Sequence, residues 1–475
     1  MKKSAAFFTI VLVPLIQSWP ARSGSPPRLT TVAVTEFRTD GVPPGLQALG
    51  KSFPDALITE LGRSRAVRIV EREFYEKIVA ELNLQQSALI DDRSKAQSGR
   101  LLGARLVVAG AISVLKENLV ARARLISVEN NEVLGDVEAA GTLDNIFSIQ
   151  KSLARQVAAK LAIQIKLPAL EVSPMTINAY QDLEHLRALA GDLPILGLDP
   201  ARARKKSDYV LALSLCDKLA AAYPQLAPAR YYRALFSLHQ EDFAAADTES
   251  QIAQQLDPDD LETLLLRGNF LAATNDRKGA VAALREAKEK FPEDSRAWYA
   301  LGVLYLEAGA KLEAIAAYLA AIERQPLIAE AEANLQTMLE SAEGLALLAR
   351  LKEKKPEAYP AAAVFYAFWK NAGNRLGDLA ERAMNAFPNL YLGYYMQGVL
   401  ARDRQQYDEA ATLFQACLEL RPAFPEVHRE LGLLALSAKR CTEGAQHFKV
   451  YLNTANFVDD YAALEEQVQR CQKRR

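Results

Sequence analysis

The stretch WYALGVLYLEAGAKLEAIAAYLAAIERQP, from Trp298 to Pro326, decides the fold of most of this chain. It predicts a pair of helices that ends at a proline. Further prolines recur with a regular spacing of 34 residues, at Pro224, Pro258, Pro292, Pro326 and Pro360. Pro388 follows after 28 residues, and Pro422 resumes the spacing of 34. A period of this length predicts a stack of helical hairpins, in which each hairpin buries its apolar face against its neighbours.

Small residues recur at fixed places relative to each proline. Those of the first helix are Ala234, Gly268, Gly302, Gly398 and Gly432, and those of the second are Ala246, Ala280, Ala314 and Ala410. A bulkier side chain at such a crossing would hold the two helices apart, so the spacing is a packing requirement. This pattern resembles the tetratricopeptide repeat from roughly Ser173 to the end. The resemblance implies an all-α solenoid over residues 174–475, with about seven units and a polar helix capping its last apolar face.

The predicted array is irregular in two places. An insertion, GDLPILGLDPARARKK, lies between the helices of the first repeat. The repeats that end at Pro360 and Pro388 match the consensus poorly, and the second of them is short. We therefore expect these two repeats to distort the superhelix.

The region before the repeats alternates strand and helix patterns. TTVAVTEF (Thr30 to Phe37) is rich in β-branched residues, the apolar stripe after Leu46 predicts a helix, and VRIV (Val67 to Val70) predicts a second strand. Two more helices are predicted around Phe74–Leu82 and Lys95–Leu102. Three consecutive antiparallel strands follow, RLVVAGAISV, LVARARLISV and VLGDVEAAG, and then a helix from about 145 to 161. This order predicts an α/β fold with a mixed sheet.

Five segments of this region, in order, are VAVTEF, GKSFPDALITEL, VRIVER…LNLQQSALID, GRLLGARLVVAGAI and ARLISVENNEVLG. They resemble the CsgG-like family of bacterial envelope proteins, which includes the amino-terminal domain of TolB, the FlgO proteins and the LpoB activators. The resemblance implies a CsgG/TolB-N-like domain over residues 29–167. The chain has no room for the pore-forming hairpins of CsgG, and no cysteine where a lipid would be attached in the lipoprotein relatives.

The first 23 residues have the features of a secretory signal peptide. A positive start is followed by an apolar run from Ala5 to Ile16 and by small residues around Ala21 and Ser23. The formal net charge of −1 gives no global field that would favour nucleic acid or an acidic membrane. No later segment is apolar for long enough to cross a bilayer. We therefore expect an exported protein, periplasmic or associated with the outer membrane, without a transmembrane span.

The sequence offers no catalytic constellation. The four histidines, His185, His239, His428 and His447, lie well apart in the predicted repeat helices, and no phosphate loop or metal-binding motif is present. We expect no enzyme activity, no metal and no cofactor. The charged corner at Glu71 and Arg72 follows a predicted strand, and two interpretations of Arg72 stay open: a partner or subunit contact, and a structural ion pair.

The inner face of the first helices is where tetratricopeptide proteins hold a peptide or a partner helix. By repeat position this face comprises Tyr231, Leu265, Asn269, Tyr299, Val303, Tyr395 and Val399. Of the set that clamps a terminal carboxylate in chaperone-type relatives, only Asn269 is present. We therefore expect an apolar or aromatic-bearing segment as ligand. The alternative is that the tyrosines simply pack between neighbouring helices.

Four cysteines are few for an exported chain. Cys216 and Cys417 stand at helix crossings and are expected to be buried. Cys441 begins the second helix of the last repeat and Cys471 lies near the end of the capping helix, so an antiparallel hairpin would bring the two together. We predict a disulfide there.

The function expected from these features is that of a non-catalytic envelope scaffold or adaptor. Its repeats would bind a protein partner, and its CsgG-like domain would dock to an assembly or export machinery of the curli type, with self-association through that domain as an addition. Two alternatives stay open: a regulator of peptidoglycan synthesis, and a sensory module that resembles signalling receptors with TolB-like and tetratricopeptide parts.

Overall fold

The computed structural model of the protein describes residues 30–62, 64, 67–70, 104–128, 132–161, 175–190, 206–292, 294–324, 329–370, 377–421, 424–454 and 461–473. Several predicted features lie outside these residues. They are the signal peptide, the corner at Glu71 and Arg72, the helices around Phe74–Leu82 and Lys95–Leu102, and most of the insertion in the first repeat. Residues 162–174 also lie outside, so the domain limits 29–167 and 174–475 stay predictions.

The first part of the chain forms a mixed sheet of five strands in the described residues. The strands are β1 (Thr30–Val34), β2 (Val67–Val70), β3 (Leu106–Leu115), β4 (Asn118–Ser127) and β5 (Val133–Thr142), in the spatial order β2-β1-β3-β4-β5. β1 runs parallel to both β2 and β3, and β4 runs antiparallel to both β3 and β5. The predicted α/β fold with a mixed sheet is confirmed.

One face of this sheet is covered by two helices, α1 (Leu49–Gly62) and α2 (Ile146–Lys160), which also contact each other. The alternation along β4 explains which face they cover. Leu119, Ala121, Ala123 and Leu125 point to the helices and are almost fully buried. Arg122 and Arg124 project from the opposite face, where about half or more of each side chain meets solvent. Around Arg122 and Arg124 one face of the sheet is therefore core and the other is polar and open, whereas Ile126, on the same face as the arginines, is fully buried.

A proline inside α1 ties this helix to the chain that leaves β1. Pro54 has no N–H, so the carbonyl of Gly50 has no partner in its own helix. The backbone N–H of Phe37 donates to that carbonyl over 2.9 Å. A Cβ atom at Gly50 would come within 2.7 Å of the Phe37 carbonyl oxygen, so only glycine allows this approach. The carbonyl that Pro54 leaves without a helical partner thus makes a tertiary hydrogen bond instead.

The second part of the chain is a solenoid of helices. The first helix of each pair is α3 (Ile177–Ala190), α5 (Ala227–His239), α7 (Leu261–Ala273), α9 (Ser295–Glu307), α11 (Ala329–Glu340), α13 (Tyr359–Trp369), α15 (Tyr391–Asp403) or α17 (Pro425–Ser437). The second helices are α4 (Lys206–Ala222), α6 (Phe243–Leu256), α8 (Arg277–Lys290), α10 (Lys311–Arg324), α12 (Gly344–Lys354), α14 (Gly377–Ala386), α16 (Tyr407–Leu420) and α18 (Cys441–Thr454). A final helix, α19 (Tyr461–Lys473), packs on the last pair. The predicted all-α solenoid is confirmed.

The solenoid has eight helix pairs in the described residues, one more than the sequence suggested. The assignment of Pro360 to the end of a repeat is wrong, because Pro360 lies in the first turn of α13. Pro356 takes the expected place, since α12 ends at Lys354 and Lys355 leaves the helical conformation before the proline, with φ −141° and ψ 65°. Asp257 and Phe291 have the same conformation before Pro258 and Pro292. The fifth pair is therefore shorter than the period of 34 predicts.

The small residues of the repeat pattern lie where the paired helices cross. At four glycines of the first helices an added Cβ would come within about 2.6 Å of a side chain of the second helix. The pairs are Gly268 with Leu284, Gly302 with Tyr318, Gly398 with Phe414 and Gly432 with Phe448. The matching alanines, among them Ala280, Ala314 and Ala410, are fully buried. The packing requirement inferred from the sequence is confirmed at these crossings.

The solenoid and the α/β domain share one hydrophobic core. Residues of α1, α2 and β4 and residues of α3 to α5 belong to the same buried cluster. Tyr180 of α3 lies at its centre, where its hydroxyl donates to Ser52 Oγ over 2.7 Å and its ring packs edge-on against Phe147. At the rim, Gln181 donates to the carbonyl of Gly45 over 2.7 Å. The first helix pair is therefore built onto the helical layer of the α/β domain.

We predict that Gly50→Ala destabilises the protein, because the new methyl group would collide with the Phe37 carbonyl. The free energy of unfolding should fall by about 1–3 kcal/mol, the usual cost of overpacking. Gly62→Ala is the matched control, since no heavy atom lies within 4 Å of a Cβ built at this other glycine of α1. Urea denaturation followed by circular dichroism would compare the midpoints. Equal midpoints for the two variants would show that the Gly50 contact does not constrain the fold.

Candidate functional site

The first helices of several successive pairs contact one another, and they form the surface on which the sequence predicts partner binding. The structure places the seven predicted residues in two groups. Leu265 and Tyr299 are each 3% exposed and Val303 is 9% exposed, so they pack mainly within the solenoid. Tyr231, Asn269, Tyr395 and Val399 are partly exposed. These last four are the members of the set that a ligand could touch without displacing other side chains.

The predicted tyrosines also make contacts with rings inside the solenoid. Tyr231 packs edge-on against Tyr232, with ring centroids 5.0 Å apart, and Tyr299 lies 5.9 Å from Tyr318. Burial raises the pKa of the Tyr231 hydroxyl well above its usual value. Tyr231 and Tyr299 therefore pack against other rings of the solenoid.

Tyr395 belongs to an aromatic cluster that spans three helix pairs. Its ring centroid lies 5.8 Å from that of Phe368, 5.1 Å from Phe424 and 6.1 Å from Phe414. Phe368 and Tyr395 are partly exposed, whereas Phe414 and Phe424 are buried. The pairs with Phe368 and Phe424 are edge-to-face, a geometry that stabilises one arrangement of the rings. The cluster gives this part of the solenoid a rigid aromatic surface.

A charged link beside this cluster joins helices that are far apart in the sequence. Arg421, directly after α16, donates to Glu332 of α11 over 2.6 Å, and its guanidinium also bonds to the hydroxyl of Tyr391. The Tyr391 hydroxyl donates to the same Glu332 oxygen over 2.8 Å. The guanidinium lies over the rings of Tyr391 and Phe424, at 4.6 and 5.2 Å from their centroids. Sequence analysis missed this link, which connects the fifth and seventh pairs across the sixth.

The electrostatics of this link are those of a buried pair. Burial raises the pKa of the Glu332 carboxyl, although Arg421 and Tyr391 counteract the shift by bonding to its charged form. Removing one partner of such a pair costs more than the pair contributes, because the other charge stays buried. The link therefore ties the fifth pair to the seventh, beside Tyr395 and Phe368.

The expectation that the four histidines lie well apart is wrong for two of them, which meet in the last pair. His428 of α17 is fully buried, and its Nδ1 lies 3.0 Å from Nδ1 of His447 in α18. Burial lowers the pKa of His447 to about 3, with further contributions from His428 and Arg440. In the described residues no group of three or more His, Cys, Asp or Glu side chains could hold a metal ion. The histidines are therefore interpreted as a buried structural pair.

Two of the cysteines have free thiols, and a third forms a disulfide. Cys216 and Cys417 are free and fully buried, as the sequence predicts, and burial raises the pKa of the Cys216 thiol to about 12. Cys441 is disulfide-bonded. Its predicted partner Cys471 is in α19, but the side chain of Cys471 lies outside the described ones, so the pairing Cys441–Cys471 stays a proposal.

Comparisons with known proteins identify both parts of the chain. Residues 21–123 match the family model described as "Curli production assembly/transport component CsgG". Residues 265–327 and 395–457 match a tetratricopeptide repeat model. The chain carries a CsgG-like domain followed by tetratricopeptide repeats. Repeats of this type mediate protein–protein interaction, and neither family is typically catalytic. No curated protein matches the chain.

Solved structures give weaker likenesses. The LpoB C-terminal domain from Salmonella enterica is 18% identical and covers 24% of this chain and 82% of its own, with a TM-score of 0.20. Yeast Tom70 is 14% identical over 90% of this chain and 89% of its own, with a TM-score of 0.31. PilW, a type IV pilus biogenesis factor, is 18% identical over 43% of this chain and 83% of its own, with a TM-score of 0.19. TM-scores this low say nothing about function.

We predict that acid weakens the last helix pair through His447. An unfolded histidine has a pKa of about 6.5, whereas the pKa of folded His447 is about 3, so the folded state resists protonation. The stabilisation is complete above pH 6.5 and is lost as the pH falls towards 3. Between about pH 7 and pH 5 the free energy of unfolding should fall by about 2 kcal/mol. Urea titrations at both pH values would measure it.

The variant His447→Gln removes the titrating group and should show a smaller loss between the two pH values. His185→Gln, at an exposed histidine of α3, is the control and should keep the loss of the unmodified protein. An equal pH dependence in all three proteins would contradict the assignment to His447.

We predict two free thiols in the unreduced, unfolded protein and four after reduction, because Cys441 and Cys471 are proposed to form a disulfide. Thiol titration would count them, and Cys471→Ser should free Cys441 and give three. Closing this loop should stabilise the last pair by about 3–4 kcal/mol on the chain-entropy model. Four free thiols before reduction would rule out the bond.

Proposed function

We propose that this chain is a non-catalytic adaptor of the bacterial cell envelope. Its repeats bind a protein partner, and its CsgG-like domain docks to an envelope machinery that assembles or exports surface structures of the curli type. The match of residues 21–123 to the CsgG family model carries this proposal. The signal peptide predicted for residues 1–23 supports a periplasmic or outer-membrane-associated location. Among the helices of the described residues, none is long and apolar enough to cross a membrane.

The partner proposed for the repeats is a segment with apolar or aromatic side chains. The partly exposed members of the predicted face supply one amide, Asn269, and three apolar or aromatic side chains, Tyr231, Tyr395 and Val399. Phe368 extends this surface beside Tyr395, with 5.8 Å between the ring centroids. Exposed aromatic side chains on a rigid support are typical of binding hot spots. Tyr395 and Val399 are the proposed centre of the contact.

The shared core fixes the position of the first repeats relative to the CsgG-like domain. Because the first helix pair packs on α1 and α2, a partner held by the repeats keeps a defined position relative to the CsgG-like domain. The link from Arg421 to Glu332 adds stiffness at the sixth pair. A rigid carrier loses less entropy when it binds two components at once than a flexible one does. We propose that Arg72 contacts a partner or another subunit when the CsgG-like domain docks. We also propose that this domain associates with further copies of itself.

The test is capture of envelope proteins by a chain with a photo-crosslinking amino acid at Tyr395. We predict that one protein crosslinks to this position and that Val399→Glu reduces its yield at least tenfold, because the new carboxylate would lie in an apolar contact. Gln415→Glu, at an exposed residue of the second helix α16, adds the same charge and should leave the yield unchanged. Mass spectrometry would identify the crosslinked protein and the segment in contact.

Two outcomes would contradict the proposal, and a third would change the process that it names. Equal crosslinking in both variants would show that the contact does not use this face. Capture of cytoplasmic proteins alone would favour the sensory alternative. Capture of a peptidoglycan synthase would keep the adaptor but replace surface-structure assembly by regulation of wall synthesis.

A further inference from the structure

The open face of the sheet carries a trough of about 420 Å³ that the proposed function does not use. Its floor comprises Ala109 and Ala111 of β3, whose side chains end at Cβ. The strand register aligns Ala111 with Arg122 of β4 and with Glu138 of β5, and it aligns Ala109 with Arg124 and Asp136. This volume is in the range of small-molecule sites.

Arg38 forms the opposite wall of the trough. Its backbone is paired with Ala111: the N–H of Arg38 donates to the Gly110 carbonyl over 3.0 Å, and the N–H of Ile112 donates to the Arg38 carbonyl over 2.8 Å. Paired residues point to the same face of a sheet, so Arg38 and Arg122 flank Ala111 on either side. With strands about 4.8 Å apart, the two Cα atoms lie about 10 Å from each other. Both guanidinium groups can reach a group that lies over Ala111.

Two of the three guanidinium groups in the trough are bonded to carboxylates of the described residues. Arg122 is bonded to Glu138, and Arg124 Nε lies 2.9 Å from Asp136 Oδ1, in pairs that are about half exposed on both sides. Arg38 has no ion-pair partner in the described part of the chain. The Arg38 guanidinium therefore lies beside the alanine floor without a bonded carboxylate among the described residues. Exposed ion pairs are weak, so Arg122 can turn part of its N–H groups to a ligand.

We infer that this trough binds a small organic carboxylate. The guanidinium of Arg38 attracts a negative charge, and a guanidinium fork fits the two oxygens of a carboxylate. The carboxylate lies between Arg38 and Arg122, and the apolar body of the ligand covers Ala109 and Ala111. The site is on the sheet face opposite α1 and α2. It does not depend on the partner proposed for the repeats, so failure of either proposal leaves the other intact.

The experiment is isothermal titration of the full chain with benzoate, and with benzamide as its neutral counterpart. Benzoate should bind, benzamide should not, and added salt should weaken the binding because the attraction is screened. Arg38→Gln should weaken benzoate binding at least tenfold, the usual effect of losing a charge-assisted hydrogen bond. Arg155→Gln removes the same charge from an exposed position on α2 and should bind as the unmodified protein does.

A second variant tests the shape of the trough without changing its charge. Ala111→Phe fills the floor at a partly exposed strand position that tolerates aromatic residues, and it should abolish benzoate binding while thermal unfolding stays the same. Equal binding by Arg38→Gln and the unmodified protein would overturn the inference. So would equal binding of benzamide and benzoate, or the absence of benzoate binding at millimolar concentration.

Discussion

The close approach of two helices at a residue without a side chain is the constraint on which the solenoid depends. At Gly302 the ring of Tyr318 occupies the space that a Cβ would need, and Gly398 and Gly432 give the same room to Phe414 and Phe448. Each aromatic ring is buried because its partner position is empty. Several successive first helices can then contact one another, and their outward side chains form a shared surface. Packing and binding thus use two faces of the same helices.

This constraint also explains how much of the fold the sequence predicts. Small residues at crossings and prolines after each pair recur in the chain because the geometry repeats, so the solenoid can be predicted from spacing alone. The assignment failed where the geometry changes. Pro356 and Pro360 are four residues apart, and only the conformation of Lys355 shows which of them ends the helix. In the α/β domain the alternation of Arg122 and Arg124 with apolar residues predicts one covered and one open sheet face.

Contacts between distant segments could not be predicted in this way. Glu332 and Arg421 are 89 residues apart, and neither stands at a consensus position from which the other could be predicted as its partner. The contact of Tyr180 with Ser52 spans 128 residues and makes the α/β domain and the first repeats one body. The position in the repeat predicts which residues belong to the binding face, but it does not predict their exposure. Leu265 and Tyr299 pack within the solenoid, whereas Tyr395 and Val399 are partly exposed. Burial depends on which side chains of the neighbouring pairs lie against each residue, and a consensus does not contain that information.

The proline in α1 has an effect at a distance. Its missing N–H leaves a carbonyl that holds the backbone of Phe37, and the Phe37 ring packs beneath Gly110 on the core side of the sheet. The next residue, Arg38, is therefore placed by main-chain bonds alone, to β3 on one side and through Phe37 to α1 on the other. Any side chain at position 38 would be presented at the same point. Evolution or design could exchange it to change which ligand the sheet accepts, without altering the scaffold that presents it.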